Sequence, residues 1–540
     1  MNRSLVRVIA VGLISFLVVG GLQMSGAMLM IRSQDAGKIP PGPFVPHPHP
    51  LDSLTLIDDD YQAGIIDKET ATRYKAYAMF DRARLPSKYA SDEPSDPTMT
   101  FLELRREFLS FSDGLRAELQ SYGIRPIEGR DPSVPSVGES APDWLSSSSN
   151  CEGYLTGGGT ATFPSYYGTT HFRVHYTTTG THASSAAYAT TIGDNLETGW
   201  NQNNVMKWKL PRPDGTRGGG TNKIDFYIAD LAGVWGVAFG MYLDTTTSNP
   251  NDMYGYVCVD KDLPTTPYNL QQVTPVHEFH HLVQYAYNVY GTGWYFESFS
   301  VWFEEKVFPG NNRWVSRATT FLDNPHLMLT STWSDREYGS GIWWLYIDDM
   351  LSEDVVRRVQ DFRANDPSGV DNGWSNVADA FAEYYSAPSS NMFHDFSISN
   401  WYTSEYNQHL WGRGSRYVAH DASLLASPAF IGAFSGAPGS WTETGTLQGY
   451  GAHYVAFSGI TPSSITFNFN GEDGKTFVVT IMTMTSGREV WTKRITLTGA
   501  ANTGSYTLSS ANSYVNVIII IRNMVSATSS TGIGWTLSWA

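Results

Sequence analysis

The sequence predicts an α+β protein in three parts: a helical N-terminal unit, a middle part where strands give way to helices, and a β-sandwich tail. Three observations predict it. Apolar residues recur at helical spacing over residues 51–125, short strand-like runs separated by Gly- and Pro-rich turns fill residues 171–259, and strand-like runs return over residues 440–540. With 540 residues the chain exceeds what one core supports, because single cores stop growing beyond about 250 to 300 residues. Its 41% hydrophobic and 14% aromatic content is enough to pack several.

The N-terminus reads as an export signal covering residues 1–31. Arg3 and Arg7 precede an uncharged apolar run over residues 8–22, and Ser25, Gly26 and Ala27 offer a cleavage site. The mature protein is therefore expected to be secreted or extracytoplasmic. If the segment is not cut, its apolar run up to Arg32 is long enough to span a bilayer of about 30 Å, and the protein is then anchored at the cell surface. Membrane contact is expected only in that case. A net charge of −16 without a basic block repels nucleic acid, which is excluded as a partner. The two cysteines, Cys151 and Cys258, suit one disulfide in an exported protein.

Residues 39–50 are proline-rich and form a linker, in which His47 and His49 are expected to be solvated. Leu54, Ile57, Tyr61 and Ile65 begin the helical pattern, Leu85-Pro86 interrupts it, and Phe101, Leu104, Phe108, Phe111, Leu115 and Leu119 read as one apolar stripe. Pro, Ser and Gly then accumulate over residues 126–150, ending in four serines, the expected domain boundary and protease-accessible site. Residues 32–150 are thus expected to be a pro-region that restrains the rest until this linker is cut. No cysteine precedes Cys151, so a pro-region thiol is not the blocking group. Strands are expected at 171–176, 224–228 and 254–259, a helix at 183–200, further helices over 270–365, and strands at 476–484 and 515–521.

The chemistry is carried by Val276-His277-Glu278-Phe279-His280-His281, an HExxH arrangement. On a helix His277 and His281 fall one turn apart on the same face and can aim two imidazoles at one metal, with Glu278 flanking the site. Zinc suits such a set, since three protein ligands leave one position for water. His280 breaks the four-residue spacing and is expected at the surface or behind the ligands. The third ligand is expected to be Glu297, a carboxylate within the aromatic run Trp294-Tyr295-Phe296-Glu297-Ser298-Phe299, where it needs a specific partner. Glu304 and Glu305 read equally well as a solvated face.

These two segments resemble the gluzincin metallopeptidases, in which HExxH is followed on a second helix by a glutamate ligand. The texts around Tyr61–Asp67, Leu85–Tyr89 and Pro213–Gly219 also resemble a bacterial family of exported putative metalloproteases. The resemblance implies a zincin-like catalytic domain over 151–410, with a twisted sheet, an active-site helix and a helical lower half, followed by an accessory sandwich over 411–540. It implies a zinc-dependent endopeptidase acting on protein or peptide substrates, with Glu278 as general base. It also implies a role for Tyr338, which resembles the oxyanion-binding tyrosine of aminopeptidase-like gluzincins. Two departures matter. Val301 stands where thermolysin-like enzymes place an aspartate that orients a ligand histidine, and the glycine-x-methionine-glutamate-asparagine motif of the aminopeptidases is absent. The strand at 254–259 is expected to be the sheet edge that pairs with an extended substrate. Two alternatives remain open at this point: an idle surface-binding protein with a structural zinc site, and a zinc hydrolase of a non-peptide bond.

Overall fold

The computed structural model describes residues 51–126 and 163–540, except 92, 94–96, 123, 125, 213–220, 232, 244–250, 366–373, 386–388, 402–427, 436–440, 486–489, 526 and 528. The export signal, the proline-rich linker, the serine-rich linker and Cys151 lie outside the described residues.

Side-chain caps set the starts of the N-terminal helices. Asp52 accepts from the N–H groups of Leu54 and Thr55 at α1 (Ser53–Gln62), Asp67 from Thr70 at α2 (Lys68–Phe80), and Ser112 from Leu115 at α4 (Asp113–Ser121). Between them lies α3 (Thr98–Glu107). The stripe expected to be continuous is therefore two helices, because α3 passes into a 3-10 turn at Phe108–Ser110 and Ser112 caps a new start.

The central sheet has the order β1-β2-β3-β5-β4, made from β1 (Ser165–Gly168), β2 (Phe172–Tyr176), β3 (Ile224–Ala229), β4 (Gly236–Leu243) and β5 (Met253–Asp260). Its three inner strands are parallel and both edges antiparallel. The crossover from β2 to β3 carries α5 (Ala186–Val205), capped by Ser185. β4 was not expected from the sequence. Its presence corrects the expectation for residues 254–259, since β5 is paired on both sides and the free edge belongs to β4.

One face of this sheet, with Phe172, Val174, Phe226, Ile228 and Val257, joins the main core against α5 and the helices that follow. The opposite face, with Tyr227, Val237, Phe239 and Tyr256, packs against the N-terminal helices. That unit therefore shares a core with the sheet, and the described residues form one compact unit. Cys258, on β5, is disulfide-bonded, and Cys151 is the one other cysteine in the sequence.

Below the sheet come α6 (Leu270–Tyr285), α7 (Gly293–Val307), α8 (Arg313–Asp323), the single turn α9 (Arg336–Gly339) and α10 (Gly341–Met350). Helices α11 (Glu353–Ala364), α12 (Trp374–Tyr385) and α13 (Ser389–Trp401) carry the helical half beyond the expected end at 365. Among the described residues no helix is long and apolar enough to cross a membrane.

The tail forms two packed antiparallel-rich sheets. One is β11 (Val490–Ile495), β10 (Phe477–Met484), β13 (Asn516–Asn523), β8 (Ala452–Ser458) and β6 (Ile431–Ser435), in that order. The other is β12 (Thr503–Ser509), β9 (Ser464–Gly471), β14 (Ile533–Trp539) and β7 (Trp441–Leu447). Phe457, Phe467, Ile481, Ile519 and Trp535 fill the space between them. The unbroken Val517-Ile518-Ile519-Ile520-Ile521 run has a physical cause. Ile519 and Ile521 face the sandwich while Ile518 and Ile520 face the helical core, so both sides of β13 are dry.

Candidate metal centre

Helix α6 carries a proline inside it, which removes one backbone donor. Pro275 cannot bond the carbonyl of Gln271, and the side-chain amide of Asn195 on α5 supplies that bond instead at 2.8 Å. The helix continues through residue 285, and His277 and His281 stand one turn apart with ring centroids 4.9 Å apart. After a turn, α7 packs on α6 and brings Glu297 to the same point. Glu297 Oε2 lies 2.9 Å from His277 Nε2 and 3.4 Å from His281 Nε2. Taking one ligand atom from each residue, the three lie within 4.8 Å of one another, and all three side chains are buried. The structure thus brings together His277, His281 and Glu297 as a group able to hold a metal ion.

The outer hydrogen bonds fix which ring nitrogens face inward. The Gln284 amide nitrogen donates to the carbonyl of Phe296 at 3.0 Å, so Gln284 Oε1, 2.9 Å from His281 Nδ1, accepts from that nitrogen. His277 Nδ1 lies 2.7 Å from Glu304 Oε1, which also lies 3.4 Å from Arg313. With protons on both Nδ1 atoms, both Nε2 atoms present lone pairs toward a carboxylate. Three buried acceptors converging on one point repel one another unless a cation lies between them. His281 Nε2 and Glu297 Oε1 also have no hydrogen-bond partner, so the residues fit a metal. Burial pushes the Glu297 carboxyl up, but the His281 and His277 imidazoles beside it outweigh burial and hold it at about 2. Burial acts the same way on Glu304 and is outweighed by Arg313 and His277, which hold it below the usual carboxylate range.

For His280 and for the glutamate pair the solvent-exposed alternative is ruled out, and His280 lies behind the ligands. His280 is not at the surface: it is fully buried, stacked on Phe303 at 4.6 Å and beside Trp208 at 5.1 Å, with Nδ1 3.2 Å from Ser300 Oγ. Burial and the neighbouring His281 and His277 keep it neutral, its pKa well below the usual imidazole value. Glu304 and Glu305 are not a solvated face, since both are 2% exposed. And the orienting carboxylate absent at Val301 comes from Glu304, seven residues after Glu297 and so on nearly the same helix face. Val301 has another task, because a Cβ on Gly341 would lie 2.7 Å from its Cγ1, so this pair lets α10 approach α7 closely.

Glu278 is buried under the start of β4, where Gly236 leaves it room: a Cβ there would lie 2.8 Å from Glu278 Cγ. Its Oε2 accepts a hydrogen bond from Thr98 Oγ at 3.1 Å. The Tyr338 ring stacks 6.0 Å from His277 and lies under the Arg317 guanidinium at 4.2 Å. Gln284, Ser300, Arg313 and Thr98 were not anticipated. The three-residue step from His281 to Gln284 was a usable signal, whereas nothing local marks Arg313 or Thr98.

Because Glu304 fixes the His277 tautomer, Glu304→Ala is expected to weaken metal binding about 10- to 100-fold, the usual cost of losing such a partner. Competition with a coloured chelator measures it, and unchanged affinity would return Glu304 to a packing role.

No family model and no curated protein matches the chain. Among solved structures, one match is "A novel family GH115 4-O-Methyl-alpha-glucuronidase, BtGH115A, with specificity for decorated arabinogalactans". It shows 11% identity and a TM-score of 0.14, over 62% of this chain and 53% of that one, a likeness that bears on neither fold nor activity here.

Proposed function

We propose that this protein is an exported zinc-dependent endopeptidase with a zincin-like catalytic core. The observation that carries the reading is the convergence of His277 Nε2, His281 Nε2 and a Glu297 oxygen, with Glu278 on the same helix as the two histidines. Two imidazoles and one carboxylate are a donor set that zinc favours, and three protein ligands leave a position for water. Zinc held there supplies Lewis-acid activation of that water and of the scissile carbonyl. A structural site has no need of a general base beside it, which disfavours an idle binding protein.

The remaining chemistry belongs to the chain's own residues. Glu278 takes the proton from the attacking water and passes it to the leaving amine. The outer edge of β4, which pairs with no further strand, would hold an extended peptide by main-chain hydrogen bonds once α3 is lifted from it, a common way of seating substrates. Tyr338, stacked beside His277, offers its hydroxyl to the developing oxyanion. The disulfide at Cys258 supports a working place outside the cytoplasm.

The test is a metal analysis of the full-length chain, followed by peptide-library cleavage, with and without a zinc chelator, by the same chain carrying Arg105→Glu and Arg106→Glu, two changes that remove the anchors holding α3 on β4 and on the turn between α6 and α7. One equivalent of zinc with chelator-sensitive cleavage is expected. Absence of bound zinc would remove the reading, and zinc without cleavage of any peptide would point to hydrolysis of another bond. Tyr338→Phe is expected to lower kcat with KM nearly unchanged, because the hydroxyl acts mainly in the transition state. Unaltered kcat would leave Tyr338 a packing residue.

A further inference from the structure

The free edge of β4 is already filled, and by the N-terminal unit. The N–H of Ala238 points away from β5 and donates to Thr98 Oγ at 3.0 Å, and the Thr98 hydroxyl in turn donates to Glu278. Two residues along the same edge, the Gly240 carbonyl accepts from the Arg105 guanidinium. The next arginine, Arg106, donates to the carbonyl of Gly291, at 2.7 Å, and to that of Val289 in the turn between α6 and α7. Apolar contacts seat the same helix: Met99 and Leu102 enter the main core, and Phe101 meets Phe239 of β4 edge-on at 4.7 Å. On the other side of the site, Trp333 hydrogen-bonds Asp59 of α1, so the N-terminal helices span from the sheet to the helical half.

We propose that α3 is a tethered inhibitor: anchored by Thr98, Arg105 and Arg106, it occupies the strand edge and the general base that a peptide needs, and the full-length chain is latent. This rests on the peptidase reading above. Three features carry it. First, the groups α3 engages are those a peptide would need, namely an outward N–H and an outward C=O of β4 together with the Glu278 carboxylate. Second, α3 is not itself a substrate. Its backbone carbonyls are engaged within the helix, whereas a peptide adding to a sheet edge must be extended with its main chain free. Third, α3 is held by buried apolar side chains as well as by polar ones, so a chain break elsewhere would leave it docked. Activation therefore requires that α3 be displaced.

The test uses full-length, zinc-loaded protein in three forms: wild type, Thr98→Val, and Arg105→Glu with Arg106→Glu. Thr98→Val keeps the shape but removes the hydroxyl from both Ala238 and Glu278. The double reversal turns two donors toward backbone carbonyls into carboxylates that repel them. Three readouts are taken: hydrogen exchange at α3 and Ala238, binding of a dipeptide hydroxamate, and cleavage of a short peptide. Faster exchange, with hydroxamate affinity and cleavage both raised at least about 10-fold, is the expected result for an edge and base set free. Faster exchange with unchanged hydroxamate affinity would overturn the blockade. Unchanged exchange in both variants would overturn the assignment of these three anchors. If the double variant does not fold, judged by zinc content and circular dichroism, Thr98→Val carries the decision alone. Tighter hydroxamate binding without cleavage by any form sinks the peptidase reading and leaves the blockade standing, so the two failures are distinguishable.

Discussion

Glu278→Gln is expected to bind zinc as the parent does and to lose nearly all hydrolysis, by about 100- to 10,000-fold, the usual range for removing a general base. The site's geometry makes the substitution a clean one. Glu278 is fully buried against Gly236, where there is no room for a larger group, and the amide has the same outline as the carboxylate. An amide oxygen still accepts from Thr98, so packing and that hydrogen bond survive. What it lacks is basicity, because a primary amide cannot take a proton from water near neutral pH. The three ligand side chains are untouched, so zinc content should stay at one equivalent. The comparison belongs in the Arg105→Glu and Arg106→Glu background, so that a seated α3 does not mask the loss. Cleavage near that of the parent would remove Glu278 from the mechanism and send the search for a base elsewhere.

What the sequence made legible follows from how far each feature extends along the chain. His277 and His281 are defined by one helical turn, and Glu297 by a buried carboxylate in an aromatic run on the next helix, so local pattern sufficed for the three residues that the structure brings together. Strand order is a different kind of property. β5 follows β4 in sequence yet inserts between β3 and β4, and no periodicity records this, which is why residues 254–259 read as an edge. β4 itself, Gly236-Val-Ala-Phe-Gly-Met-Tyr-Leu243, has two glycines that weaken a strand pattern, and no polar residue alternates along it. Its edge needs none, because Thr98 and Arg105 cover it from more than 130 residues away, by the sequence separations of 140 and 135 in those two bonds. Glu304 was obscured by prior expectation: adjacent glutamates are usually solvated, and only the approach of α6 shows that one of them faces His277. The same logic applies to β13, whose five apolar residues in a row identify a strand but not the second layer that makes both faces dry.

Glu297→Ala is expected to lose zinc and activity together, and the loss of affinity should exceed the about 10- to 100-fold cost of losing an outer partner such as Glu304. Two histidines one turn apart leave the metal with two protein donors, and among the described residues Glu297 is the one carboxylate grouped with both imidazoles: Glu304 faces His277 Nδ1, the far side of that ring, and Glu278 is turned to Thr98. His280 offers no substitute, being wedged between Phe303 and Trp208. Water entering the space left by the carboxylate supplies a weaker, uncharged ligand among Phe296, Phe299 and other buried aromatics. Because zinc binds the folded state and stabilises it in proportion to ln(1 + [Zn]/Kd), thermal melts give a readout that needs no substrate. The parent and Glu278→Gln should both gain in Tm on adding zinc, Glu304→Ala should gain less at the same concentration, and Glu297→Ala should gain little. That ordering separates ligand, orienting partner and base by one measurement. Full zinc occupancy at limiting metal in Glu297→Ala, with a melting shift equal to the parent's, would show that the third ligand comes from elsewhere and would sink the gluzincin-like assignment even if peptide cleavage were observed.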